Sequence, residues 1–346
     1  MIAVVLIFLF LSILFYLAFG GADFGVGIIE LFSGRKNQSI TKKAGYRIIG
    51  PVWEANHIWM IITIVLMWIA FPSYYNIIVT QLHIPLSLLL IAIIGRGTAF
   101  IFRHYDAYED SSQKLYDFIF RLSSFFAPFF VGVTAGALIS GNIIHPDAIG
   151  EVNFYEAYIQ TWLNPFAILV GVFVVALAGF IAAIFIVGET VGEVQAYYMK
   201  KAGHATFLAM ATGTAIFLEA FISEREFIQI FFSSWIAPLA FAVVSLMLIP
   251  IWSNLRTGKK NNSRILLGAQ LFLMLGVWVF FAFPNLIIFK SGDELSILDE
   301  LPPDAVFNGL GWALLSASVF VLPGLYHLFK TFGLIGSRPT LRNMDN

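Results

Sequence analysis

Nine apolar runs, each of about 20 residues and so long enough to cross a hydrocarbon core about 30 Å thick, constrain this chain more than any other feature. They lie near residues 2–22, 49–71, 77–101, 118–140, 161–187, 204–222, 227–251, 265–289 and 306–329, with short polar links between them. Lipid offers no hydrogen-bond partners to a backbone, so each run must satisfy its own N–H and C=O groups as an α-helix. The expectation is an all-α polytopic membrane protein with nine transmembrane helices, its residues 1–346 forming a single membrane domain. Charged residues make up 12% of the chain, about half the share found in soluble domains.

The positions of lysine and arginine set the expected orientation, because cytoplasmic loops collect them. The Met1–Gly20 run carries no positive charge ahead of it, as a cleaved secretory signal would, and is followed by Arg35, Lys36, Lys42, Lys43 and Arg47. It reads as a retained first helix with its N-terminus outside. With that choice, 17 of the 20 basic residues fall inside, and Arg225 and Lys290 alone fall in outside loops. Acidic residues do the reverse: Asp147, Glu151 and Glu156 lie in one outside loop, and Asp293, Glu294, Asp299, Glu300 and Asp304 in another. The alternation holds across all nine spans and puts the C-terminus in the cytoplasm.

Lys42-Lys43-Ala44-Gly45, before the second helix, recurs as Lys200-Lys201-Ala202-Gly203 before the sixth. Four helices separate the copies, as a parallel repeat of two four-helix units requires; paired lysines at an inner boundary also arise from topology alone. Read as a repeat, residues 1–140 form a first four-helix bundle, 161–289 a second, and 306–329 one extra helix. Gly132 and Gly136 in the fourth helix offer a small-residue face of the kind that receives another helix, here expected to be a partner subunit's.

A net charge of -1 gives no bulk attraction for nucleic acid. The absence of cysteine removes thiolate zinc sites, iron–sulfur clusters and covalent c-type haem. No metal site is expected. The surrounding partner is the lipid bilayer.

Chemistry is expected where polar residues survive inside apolar spans, since each is costly there unless it faces protein or water. The densest place is the opening of helix two, from Arg47 to Trp59. Gly50-Pro51 suits a first turn, where proline forfeits no hydrogen bond. Glu54 and His57 then share a face at i, i+3, and Trp53 joins His57 at i, i+4. The end of helix one supplies Asp23 within Gly20-Gly-Ala-Asp-Phe-Gly-Val-Gly-Ile28, and a hairpin would bring Asp23 near Glu54.

The Gly-x-Asp-x-Gly-x-Gly end of helix one, the Gly-Pro-x-Trp-Glu-x-Asn-His-x-Trp opening of helix two (Gly50–Trp59) and Leu163-Asn-Pro-Phe opening helix five resemble the signature segments of subunit II of cytochrome bd-type quinol:oxygen oxidases. Glu54 stands where many relatives carry aspartate. The resemblance implies a heterodimer, multi-pass in a bacterial plasma membrane, that oxidises quinol and reduces dioxygen to water with protons drawn from the cytoplasm. It further implies that haem b and haem d belong to the partner, subunit I, that this chain binds no cofactor, and that a small additional subunit is left open. Proton-path candidates are Glu54, His57 and Asp23, with Arg96, Trp53, Asn56 and Trp59 in support.

Each candidate also has a plainer reading. His57 and Asn56 serve as helix–helix hydrogen-bonding groups, Trp53, Trp59 and Trp68 as packing or interfacial residues, and Arg96 as a side chain snorkelling to the interface rather than pairing with Asp23 or Glu54. Glu189 and Glu193 read as a solvated helix end, and Glu219 has no assigned role. An ion-coupled secondary transporter and a purely structural scaffold are the competing functional readings. The region 285–310 is too generic in sequence to align with the family pattern.

Overall fold

The computed structural model describes residues 1–34, 38, 41, 42, 45, 53–105 and 112–331. In chain order the helices are α1 (Ile2–Phe15), a π-helical turn (Tyr16–Gly20), α2 (Gly21–Leu31), α3 (Trp53–Ala70), α4 (Pro72–Gln81), α5 (His83–Tyr105), α6 (Ser112–Leu138) and α7 (Phe154–Tyr158). Then follow α8 (Pro165–Glu189), α9 (Gly192–Ile222), α10 (Glu226–Phe232), α11 (Ile236–Leu246), α12 (Leu248–Arg256), α13 (Lys260–Ala282) and α14 (Asp304–Thr331). Among the described residues eight helical stretches are long and apolar enough to span a membrane, and the count is nine when the bent pair α3–α4 is taken as one span.

That pair explains one shift from the expected boundaries. Pro72 has no N–H to continue α3, and the chain turns by 117° between Asn56–Ala70 and Pro72–Gln81. The third span therefore starts at His83, not near 77. The first span differs too: Gly20–Ile28 does not end it, because α2 carries the helix on to Leu31 and places Asp23 and Glu30 inside it. The sixth span begins at Gly192, and only Thr190 and Val191 separate it from α8. Glu189 and Glu193 thus sit on different helices.

The helix starts follow local chemistry. Asn164 accepts a hydrogen bond from the Ala167 N–H, Pro165 occupies the first turn and Phe166 is fully buried. This is the physical content of the Leu163-Asn-Pro-Phe segment. Among the spans α8 is the most enclosed and α14 the least. α2, α6 and α9 pack around α8, and close approach needs small residues. A Cβ on Gly25 would run into the Ala178 carbonyl of α8. Gly132 and Gly136 also face α8, against Gly171, Val170 and Ala167. They are spent inside the chain, which corrects the expectation that they face a partner.

The ends rich in lysine and arginine gather together. Lys201 Nζ donates to the Phe32 carbonyl at 2.7 Å, and Arg264 Nη2 lies 2.9 Å from Glu189 Oε1. At the opposite, acidic end the 283–303 connection closes over the bundle. Lys290 N donates to Ile143 O at 2.8 Å, while Gln81 exchanges bonds of 2.6 and 2.9 Å with the backbone of Ile144. Tyr74 OH reaches the carbonyls of Pro284 and Leu295. Glu219, which had no expected role, binds Arg225 at 2.7 and 2.8 Å, and Arg225 also reaches the Ser140 carbonyl.

Candidate functional site

Two rungs of charged and polar side chains tie α2, α5 and α6 together inside the helix bundle. In the first rung Asp23 Oδ1 lies 2.6 Å from Arg96 Nη2, which also donates to the Asp23 carbonyl at 3.1 Å. Arg96 Nε donates to Ser124 Oγ at 3.2 Å. In the second rung Arg103 Nη2 meets both oxygens of Glu30, at 2.9 and 3.0 Å, and its Nε lies 2.9 Å from Asp117 Oδ1. Lys42 Nζ donates to the same Asp117 oxygen at 2.9 Å.

The rungs are one heptad apart on each helix: Asp23 and Glu30 on α2, Arg96 and Arg103 on α5, Ser124 and Asp117 on α6. Seven residues make nearly two full turns, about 10 Å of rise, so each set lines up along one face. α2 and α5 ascend together while α6 runs the other way, and the pairings keep that sense. Phe120 stands between the rungs, its ring centroid 5.0 Å from the Arg96 guanidinium and 4.2 Å from that of Arg103. Ser124 can approach because Gly27 has no side chain; a Cβ there would collide with the serine hydroxyl.

Asp23 and Arg96 are each 1% exposed. Burial at that depth is tolerable only because opposite charges and hydrogen bonds compensate each other. Arg96 therefore does not snorkel; it is held between Asp23, Ser124 and the rings of Phe24 and Phe120. His57 joins the first rung from α3, its ring 6.0 Å from Phe24 and 6.4 Å from Tyr16, within electrostatic reach of Asp23 and Arg96. Asn56 and Trp59 are buried on the same helix, Trp59 against Phe15 at 4.6 Å. The side chains of Trp53 and Glu54, and residues Arg47, Gly50 and Pro51, lie outside the described residues.

The sequence reading singled out Asp23, Arg96 and His57, which come together, and passed over Tyr16, Glu30, Arg103, Asp117, Phe120 and Ser124. The heptad itself was the available signal. Arg103 stands two residues beyond the apolar run 77–101, so hydropathy alone leaves it outside the third span. Glu189, expected to be solvated, is held by Arg264 at 2.9 Å and Lys260 at 3.3 Å. Among the described residues no group of three or more histidine, aspartate or glutamate side chains is arranged to hold a metal ion.

The family model for cytochrome bd terminal oxidase subunit II matches residues 1–332. The chain belongs to that family. Cytochrome bd ubiquinol oxidase subunit 2 of Bacillus subtilis (strain 168) is 27% identical over 339 residues, 93% of this chain and 94% of that protein. Cytochrome bd-I ubiquinol oxidase subunit 2 of Escherichia coli (strain K12) is 27% identical over 175 residues, 51% of this chain and 45% of that protein. A chain in the structure of bd oxidase from Geobacillus thermodenitrificans has the same fold, with a TM-score of 0.76 at 17% identity, covering 96% of this chain and all of that one. This cytochrome bd subunit II is thus a multi-pass bacterial membrane protein and part of an oxidoreductase complex that carries haem. Membership decides against the transporter reading.

Proposed function

We propose that this chain is the subunit of a quinol-oxidising, dioxygen-reducing complex that ligates no haem itself, and that it helps carry protons from the cytoplasm toward a haem-bearing subunit I. Haem b and haem d sit in that partner; the lysine- and arginine-rich end faces the cytoplasm, and the N-terminus lies outside. Two four-helix bundles, residues 1–140 and 161–289, with the extra helix 306–329, form the scaffold.

The donor chemistry supports the haem-free reading. His57 has its ring against Tyr16 and Phe24, an aromatic packing that does not fit an axial ligand open to a porphyrin. His83 and His204 are exposed, and His145 pairs with Asp147 at 3.4 Å. When bound in the partner, the haems supply the oxygen chemistry; this chain's part is to hold and move protons.

The observation that carries the proton role is the polar line leading from Lys42, Asp117, Arg103 and Glu30 at the basic end to Asp23, Arg96, Ser124 and His57 in the helix body. Reduction of dioxygen to water takes up protons, and apolar packing does not conduct them. Intramembrane ionisable groups mark such relays. Glu54, one turn before His57, is the entry group, with Asp23 further in. The test is Glu54→Gln, which keeps shape and hydrogen-bonding capacity. The variant complex is expected to assemble with parental haem spectra and to consume oxygen about tenfold more slowly, equivalent to roughly 1.4 kcal/mol in barrier; Glu54→Asp should recover part of the rate. Full quinol-driven oxygen consumption by Glu54→Gln from about pH 6 to 8, near the working range of general acid–base groups, would overturn the role and leave Glu54 a helix cap.

A further inference from the structure

Three buried polar atoms around the first rung have no hydrogen-bond partner among the described residues: the Tyr16 hydroxyl, Asp23 Oδ2 and Arg96 Nη1. Orphaned buried groups are rare, and one common answer is an internal water making two to four hydrogen bonds. The second rung has a different geometry. There Glu30 engages Arg103 with both carboxylate oxygens. In the first rung Asp23 uses one oxygen on one guanidinium nitrogen, Arg96 Nε is diverted to Ser124, and one prong of each partner is left over.

The three orphans share one neighbourhood. The Tyr16 ring stands edge-on to Phe24 with centroids 6.3 Å apart, and Arg96 lies over that same Phe24 ring at 5.0 Å. The phenol is within electrostatic reach of both Asp23 and Arg96. Tyr16 also opens the π-helical turn Tyr16–Gly20, where an extra residue widens the helix. It sits seven residues before Asp23, as Asp23 sits seven before Glu30, so the line of polar side chains on the first span runs to mid-helix.

We propose that Tyr16, Asp23 and Arg96 bind one or two water molecules in the body of the first span, and that this water extends the proton path beyond Asp23. The relay role rests on the proposed function above; the water site does not. The hydrogen-bond balance fits water. Arg96 Nη1 only donates, ionised Asp23 Oδ2 only accepts, and the Tyr16 hydroxyl does both, so a water accepts from the arginine, donates to the carboxylate and exchanges with the phenol. A side chain of the partner subunit does not meet the same need. Tyr16 is 9% exposed, and Asp23 and Arg96 1% each, before any partner is added.

An experimental density map of the intact complex, at a resolution that shows ordered water, tests the site. A peak within about 2.6–3.2 Å of all three atoms is expected; a map in which Asp23 and Arg96 meet through both prongs, with nothing between them and Tyr16, overturns the site. The relay role is tested by Tyr16→Phe in the same complex, which removes one water partner and keeps the ring. The peak should be lost or displaced and oxygen consumption should fall severalfold with unchanged haem spectra. Parental turnover without the peak overturns the relay. Should Tyr16→Phe fail to assemble, Tyr16→Met, which also lacks the hydroxyl, fills the space with an apolar side chain and leaves the Asp23–Arg96 pair intact, makes the same comparison. Failures are separable: an empty map sinks the water site whatever Glu54→Gln does, and full turnover of Glu54→Gln sinks the entry role of Glu54 whatever the map shows.

Discussion

Among the described residues, the most deeply buried ion pair of the first four spans joins the bodies of two helices, whereas the ion pairs of the next four lie at helix ends. Asp23 and Arg96 meet deep in the bundle with side chains 1% and 2% exposed. In the later spans Glu189 is the last residue of α8, Arg264 lies in the opening turns of α13, and Glu219 is in the last turn of α9. Their pairs are 11–18% exposed for Glu189–Arg264 and 12–14% for Arg225–Glu219. An ion pair at a helix end fastens one hairpin to another with water nearby. An ion pair in the helix body forgoes most solvation, and the later spans show that this architecture packs without one. Under the proposed proton role the interior pair serves the chemistry and the terminal pairs the assembly.

The comparison breaks first at Arg96. Replacement by leucine strands the Asp23 carboxylate, and breaking a buried pair by removing one partner costs about 3–5 kcal/mol. Arg96→Leu is expected to abolish or strongly reduce recovery of folded complex. Asp23→Asn combined with Arg96→Leu should recover part of it, because no charge is then left unpaired. Thermal unfolding of the intact complexes measures both, and a single variant that melts like the parent would show that the rung is not structural.

Next in size is the contact between α2 and α8. Gly25→Val places side-chain atoms where the Ala178 carbonyl already stands, and overpacking of this kind costs about 1–3 kcal/mol. Gly34, which has nothing within 4 Å of an added Cβ, is the control and should tolerate alanine. Equal melting temperatures for the two variants would mean that the helices separate freely at Gly25. Phe120→Leu comes third. It keeps an apolar filler but removes the ring faced by Arg96 and Arg103, each desolvated contact being worth about 1–2 kcal/mol. The expected result is an assembled complex with lowered thermal stability, read by the same melts.

The division between the two sets of spans was partly legible beforehand. Apolar runs revealed the helices because lipid imposes one periodic solution on all of them. Boundaries were less legible where a polar stretch continues a helix, as at Gly192–Lys201, which opens α9 although only its later residues are apolar. The Pro72 bend was hidden between two apolar runs. Asp23 and Arg96 stood out singly because charge inside an apolar run is rare. Their partnership with Ser124, and the parallel rung of Glu30, Arg103 and Asp117, was not read because hydropathy treats each charge alone. The seven-residue spacing on three separate helices was present in the sequence; which helices adjoin was not.

The smallest effect is expected at Glu189, and it is the one that sharpens the comparison most. Its Oε1 takes hydrogen bonds from Arg264 at 2.9 Å and Lys260 at 3.3 Å, and Arg264 is also held by the Phe185 carbonyl at 3.2 Å. Glu189→Gln keeps an oxygen for both cations and leaves the Phe185 bond intact, so only the charge is lost. The carboxylate is 18% exposed and Lys260 26%, so water screens part of the attraction, and exposed pairs contribute about 0–1 kcal/mol. The variant should melt within about 1 kcal/mol of the parent, with the difference shrinking further as salt rises. Its oxygen consumption should be unchanged, because α8 and α13 meet there without entering the line from Glu30 to Asp23. If Glu189→Gln instead slows oxygen consumption as Glu54→Gln is expected to, the terminal pairs share the chemistry of the interior one and the two sets of spans are not divided by role.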